Sequence, residues 1–95
     1  MRMRPGFDPL LQAYGGMMSV TGRPEDPPTF CGASINDKAT GMFTVIGALA
    51  ALRRRDITGQ GAIVDTSLFE TAVHWVEGQV NNHLATGEVP KRHGT

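Results

Sequence analysis

The stretch from Ala39 to Leu52 constrains the fold most. Ala39, Met42, Phe43, Val45, Ile46, Ala48, Leu49, Ala50, Ala51 and Leu52 leave almost no polar face, so a helix here is expected to be buried all round. It is predicted from about Asn36 to Arg55, ending near Gly59 with Thr58-Gly59-Gln60-Gly61 as the turn. Arg53-Arg54-Arg55 falls in its last turn, where cations offset the helix dipole and cap carbonyls. The apolar run is closed by these arginines before it reaches the roughly 20 residues that span a bilayer. Met1-Arg2-Met3-Arg4 is basic, but no apolar targeting segment follows it. No membrane partner is expected, and the default compartment is the cytoplasm.

Asp37 stands at the start of this helix, within Gly32-Ala33-Ser34-Ile35-Asn36-Asp37-Lys38-Ala39-Thr40-Gly41. First-turn N–H groups and the positive end of the dipole favour an ionised carboxylate. If the helix is buried all round, Asp37 opens into protein instead of bulk water, and a partly desolvated carboxylate is a usable nucleophile. A structural alternative stands beside this: Ser34 and Asp37 have the Ser-x-x-acid spacing of a helix cap.

Elsewhere the chain reads as short elements. Asp8 to Tyr14 forms a short helix broken by Gly15-Gly16, with Asp8 as N-cap and Pro9 at the first helical position. From Thr21 to Ala33 an irregular stretch holds Arg23-Pro24-Glu25-Asp26-Pro27-Pro28, which suits neither a helix interior nor a central strand. It reads as an ordered surface loop. Ala62-Ile63-Val64 suggests a brief strand or extended segment. Ser67-Leu68-Phe69-Glu70 is a capping-box pattern opening a second long helix, striped by Leu68, Phe69, Ala72, Val73, Val76, Val80 and Leu84 and stopped before Gly87 and Pro90. Two long helices and a short one cannot cover every apolar face of the first, so a sticky patch is expected.

Other residues give weaker signals. Basic groups are scattered and the formal net charge is zero, so no nucleic-acid partner is implied. One cysteine, Cys31, cannot form an internal disulfide and suits a reducing compartment. His74, His83 and His93 lack the spacing of a metal set, and no metal site is expected. Trp75 reads as a packing residue.

Several segments, taken in order, resemble the class III CoA-transferases, the CaiB/BaiF family. They are Pro5-Gly6-Phe7-Asp8-Pro9-Leu10-Leu11-Gln12-Ala13, Gly15-Gly16-Met17-Met18-Ser19-Val20-Thr21-Gly22, and Asp26-Pro27-Pro28. Ile35-Asn36-Asp37 with Thr40-Gly41, Ile46-Gly47-Ala48-Leu49-Ala50-Ala51-Leu52, Thr58-Gly59-Gln60-Gly61 and Val64-Asp65-Thr66-Ser67-Leu68 complete the set.

The resemblance implies that Asp37 matches the catalytic nucleophile, which attacks an acyl-CoA thioester and passes CoA to a second carboxylic acid. It implies no permanently bound cofactor, with a coenzyme A thioester as substrate, and that Arg4, Phe7 and Asp8 line the CoA pocket, Arg4 facing a phosphate. It makes residues 1–95 a partial domain of a much longer enzyme, lacking the nucleotide-fold part before it and the part after it. Fold class is then a mainly α fragment, with two long helices, one short helix and one brief strand, of an α/β fold that forms an interlocked homodimer. Little or no activity is expected of the piece alone. Alpha-methylacyl-CoA racemases share the resemblance but carry histidine where Phe7 stands, and Phe7 cannot accept a proton. A non-catalytic helical remnant is the reading from another class. CoA binding separates the two.

Overall fold

The computed structural model describes residues 3–94. Five helices follow one another among them: α1 (Asp8–Tyr14), α2 (Met17–Val20), α3 (Ile35–Thr58), α4 (Leu68–Trp75) and α5 (Glu77–Thr86). The chain is mostly helical, and no strand forms among the described residues.

α1 has its expected bounds, but Asp8 is its first helical residue and Phe7 its N-cap, with no side-chain cap bond. Gly15-Gly16 stops it, and a single further turn, α2, follows at once. A Cβ on Gly15 would stand 2.5 Å from the Cβ of Ala72. Glycine there lets the end of α1 lie against α4. Leu11, Met17, Ala72 and Val76 form the buried core, with Val20, Ile35 and Leu68 packed on it.

α4 starts at the expected cap, the Ser67 Oγ accepting from Glu70 N at 3.1 Å. The single long helix read from the sequence is broken, because α4 ends at Trp75 and α5 begins at Glu77. Val76 N donates to Val73 O at 3.1 Å, a three-residue turn tighter than α-helix. That turn places Val76 in the core, while α5 beyond it buries no residue and leaves Leu84 exposed. The apolar stripe therefore serves packing at its amino-terminal half only.

Ala62-Ile63-Val64 is extended but pairs with no ladder, and Ile63 is almost wholly exposed. The segment instead runs back along α3 on side-chain contacts. Gly47 receives Val64 so closely that an added Cβ would meet its Cγ1 at 2.6 Å. Thr44 and Thr66 hydroxyls bond at 2.9 Å, and Thr40 Oγ1 donates to Thr71 Oγ1 at 2.8 Å. These threonines, one turn apart on α3, tie it to the start of α4.

The largest correction concerns α3. It was expected to be buried all round, yet only Asn36 and Ala39 are buried, both in its first two turns. Met42, Val45, Ile46, Leu49 and Ile57 are each about 60% exposed or more. The helix is 24 residues long, hence about 36 Å at 1.5 Å per residue, and its buried residues lie at one end only. The molecule accordingly measures 55 × 29 × 28 Å, with a radius of gyration of 16.4 Å against about 13 Å for a compact domain of this size. Its accessible surface of 7198 Å² exceeds the roughly 5,300 Å² of a folded monomer of this mass. Periodicity reports that a helix is apolar; it does not report whether the chain holds enough other surface to cover it. Gly59, with φ 74°, ends α3 as expected, its N–H on Arg55 O at 2.7 Å.

The 21–34 loop is ordered by contacts from the carboxy-terminal tail. Arg92 donates to the carbonyls of Arg23 at 3.2 Å and Asp26 at 2.7 Å, and Gly94 N donates to Gly22 O at 3.0 Å.

Candidate functional site

The start of α3 is capped from another helix. Ser34 is the N-cap residue by position but makes no side-chain cap bond. The Asp8 carboxylate does this instead: Oδ2 accepts from Asn36 N at 2.7 Å and from Asp37 N at 3.0 Å. The remaining first-turn donors are also engaged, Ile35 N on Ala33 O at 2.8 Å and Lys38 N on Ser34 O at 3.1 Å. Every backbone N–H in the first turn of α3 has a partner. This end of the helix is therefore closed as an anion site, despite its dipole.

Asp8 is 2% exposed, so its carboxylate has been taken out of water with no cationic partner among the described residues. Such a group is tolerable only when strongly hydrogen-bonded. Its other oxygen, Oδ1, accepts from Gln12 Nε2 at 2.6 Å, one turn along α1. Gln12, 1% exposed, also pairs with the backbone of Cys31, donating to its carbonyl at 3.1 Å and accepting from its N–H at 2.7 Å. One buried amide thus fixes the Asp8 rotamer and the loop leading to α3. The Cys31 thiol is free and half-buried.

Asp37 occupies the third position of α3 and is exposed. The expectation that it faces the protein interior fails because the helix behind it is itself uncovered. The Ser34 cap does not form either, since Asp8 holds the Asp37 amide from which Ser34 would accept. No hydrogen bond to the Asp37 carboxylate forms among the described residues, and its side chain is exposed.

Arg4 and Phe7 are both exposed. They lie on the segment entering α1, and Phe7 directly precedes the residue that bonds Asp37 N. Backbone connectivity thus carries Phe7 to the start of α3. Asp8, expected at the pocket wall, turns inward. Asn36, between the two Asp8-bound amides, is fully buried with neither side-chain polar atom partnered among the described residues. Sequence reasoning missed Gln12 and Asn36. An Asp-x-x-x-Gln spacing on a short helix signals that the two side chains share a face, but not that the face is buried.

The remaining sequence candidates stay outside this cluster. His74 stacks edge-on with Phe43 at 5.6 Å and pairs with Glu77 at 3.2 Å, and Trp75 is half exposed. No group of three metal-ligating side chains gathers among the described residues, nor is any helix among them long and apolar enough to cross a membrane.

Comparison with known proteins gives a consistent answer. The family model of CoA-transferase family III matches residues 1–95. Succinyl-CoA:mesaconate CoA-transferase of Haloarcula hispanica is 38% identical over 91 residues, 96% of this chain and 23% of that protein. Succinyl-CoA–D-citramalate CoA-transferase of Chloroflexus aurantiacus is 37% identical over 93 residues, 98% of this chain and 23% of that protein. Among solved structures, a CaiB/BaiF family protein from Brucella suis superposes with a TM-score of 0.90 at 38% identity, covering 96% of this chain and 24% of that one. The chain thus spans about a quarter of the length of the relatives it matches. Ordered motifs, fold and relatives agree, and the chain belongs to CoA-transferase family III.

Proposed function

We propose that this chain carries the nucleophile of a CoA-transferase that moves CoA between an acyl-CoA and a carboxylic acid, with Asp37 as the reacting carboxylate. The carrying observation is that Asp37 stands exposed at the start of α3 while the capping it could have performed is done by Asp8.

The chemistry follows from a free carboxylate. An Asp37 oxygen attacks the thioester carbonyl; a C–O bond forms, the C–S bond breaks, and CoA leaves as thiolate, giving a mixed anhydride. The thiolate attacks the Asp37 carbonyl carbon, releasing the donor acid as carboxylate and leaving an aspartyl-CoA thioester. An acceptor carboxylate then attacks that thioester, re-forming an anhydride and thiolate. Attack of the thiolate on the new acyl carbon yields the new acyl-CoA and restores Asp37. No external oxidant, reductant or net proton is required.

Each tetrahedral intermediate needs donors aimed at its oxyanion. The first-turn amides of α3 are already engaged, so that stabilisation falls to other groups. Complete transfer by the 95 residues alone is accordingly expected to be slow or absent, while the single covalent step at Asp37 stays within reach of its free carboxylate. Arg4 and Phe7, exposed on the segment leading into α1, are read as contacts to CoA, Arg4 to a phosphate and Phe7 to an apolar portion. The uncovered face of α3 is read as an internal surface of the intact enzyme, a homodimer in this family, working in the cytoplasm. Relatives named as CoA-transferases, together with Phe7 in place of a proton-accepting side chain, favour transfer over racemisation.

The test is intact-mass spectrometry of the chain incubated with succinyl-CoA, with Asp37→Ala as control. An adduct mapped to Asp37 and lost in the variant is the expected result. A folded chain that gives none would leave the segment as a helical remnant without independent chemistry.

A further inference from the structure

We infer that Asp8 is the positioning residue for Asp37, fixing the backbone from which the reacting carboxylate projects; this rests on the reading of Asp37 as nucleophile. Neither reading of Asp8 from the sequence, cap of its own helix or wall of the CoA pocket, accounts for its contacts. Both its oxygens are committed inside the protein, and two of its three donors are the backbone amides of Asn36 and Asp37.

The arrangement separates two jobs that one carboxylate could not perform together. A helix-start aspartate without an external cap can fold back on its own first-turn amides, which lowers its reactivity and moves its oxygens. Here Asp8 occupies the amides at the second and third positions, so the Asp37 side chain has no such partner and points from a fixed backbone. Gln12 completes the device. Its Nε2 sets the Asp8 rotamer and its two bonds to Cys31 hold the incoming loop, so the carboxylate cannot swing away. Burial strengthens the bonds from Gln12 and Asn36, where water cannot compete, and the part-buried bond from Asp37 N shares the oxygen that Asn36 N holds.

The experiment compares the 95-residue chain with Asp8→Asn, Asp8→Glu and Gln12→Leu, following succinylation or CoA addition at Asp37 by quenched peptide mass spectrometry over a range of succinyl-CoA concentrations. Amide hydrogen exchange at Asn36 and Asp37 is measured in parallel. Asp8→Asn keeps the shape and removes the charge. It is expected to slow Asp37 modification at saturation by about 100-fold, the penalty of a roughly 1 Å misplacement, with the half-saturating concentration unchanged. Asp8→Glu is expected to recover about 10-fold of this, and Gln12→Leu to slow the reaction about 10-fold while keeping both amide bonds. Exchange at Asn36 and Asp37 is expected to rise in Asp8→Asn while the middle of α3 is unchanged.

A wild-type rate in Asp8→Asn with α3 still helical overturns the inference. So does a raised half-saturating concentration at an unchanged maximal rate, which would make Asp8 a CoA contact. If Asp8→Asn fails to fold, Gln12→Leu decides, and a wild-type rate there overturns the positioning role. If the wild-type chain itself is never modified, it is the transferase reading that fails for this chain. Exchange then judges the cap alone, with unchanged exchange in Asp8→Asn overturning it.

Discussion

The two ends of α3 share one helix and have opposite environments. At its start, Asp8 holds two amides, Asn36 and Ala39 are buried, and Thr40 and Thr44 bond to Thr71 and Thr66. Beyond Gly47, Leu49, Leu52 and Ile57 lie open to water, and the nearest ion pair, Arg55 with Asp56, is itself exposed. The richer apolar sequence is at the uncovered end. Hydrophobicity alone therefore does not locate the stable part of this molecule; convergence of polar bonds on a small apolar core does.

Substitutions at the two ends test this difference. Asp8→Ala is expected to be the most damaging, because it leaves the Asn36 and Asp37 amides without their acceptor and removes one of the bonds of Gln12. A loss of about 3 kcal/mol, read by chemical denaturation, is expected from charge-assisted bonds of this kind. A loss under about 0.5 kcal/mol, the range of an ordinary surface change, would mean water replaces the carboxylate and the start of α3 is no more anchored than its end. Gly15→Val comes next, since its Cβ would meet Ala72 at 2.5 Å and push α1 from α4. Overpacking of that sort costs about 1–3 kcal/mol.

Ser67→Ala removes the α4 cap and is expected to cost about 1 kcal/mol in the same measurement. At the uncovered end, Leu49→Lys is expected to change stability by less than about 0.5 kcal/mol. It should also reduce self-association seen by sedimentation, because it breaks an exposed apolar patch. A large stability loss there would show that Leu49 is covered in solution and collapse the contrast. Asn36→Leu sharpens the comparison in the other sense. Replacing a buried amide that has no partner among the described residues is expected to leave stability unchanged or raise it by about 1 kcal/mol.

Much of the chain was legible from local chemistry. Helices at Asp8–Tyr14 and along α3, the Gly15-Gly16 and Gly59 stops, and the Ser67 cap are dictated within a few residues, because backbone sterics and first-turn bonding are local. Ordered motifs likewise identified the family. What misled was any inference from pattern to burial. The second long helix broke at Val76 because the core needed that side chain, and Ala62-Ile63-Val64 found no strand to pair with.

Sequence by itself determined the bounds of α1, the extent of α3, the start of α4 and which carboxylate begins the longest helix. Only the tertiary structure decided which carboxylate caps and which is left free. Asp8 and Asp37 are 29 residues apart, and both looked equally suited to a helix start. The choice was made by a buried face of α1, where Gln12 holds Asp8 against the α3 amides and the Asp37 oxygens take no bond from the described residues. Spacing along the chain cannot report that contact, since it arises from packing between helices and not within one.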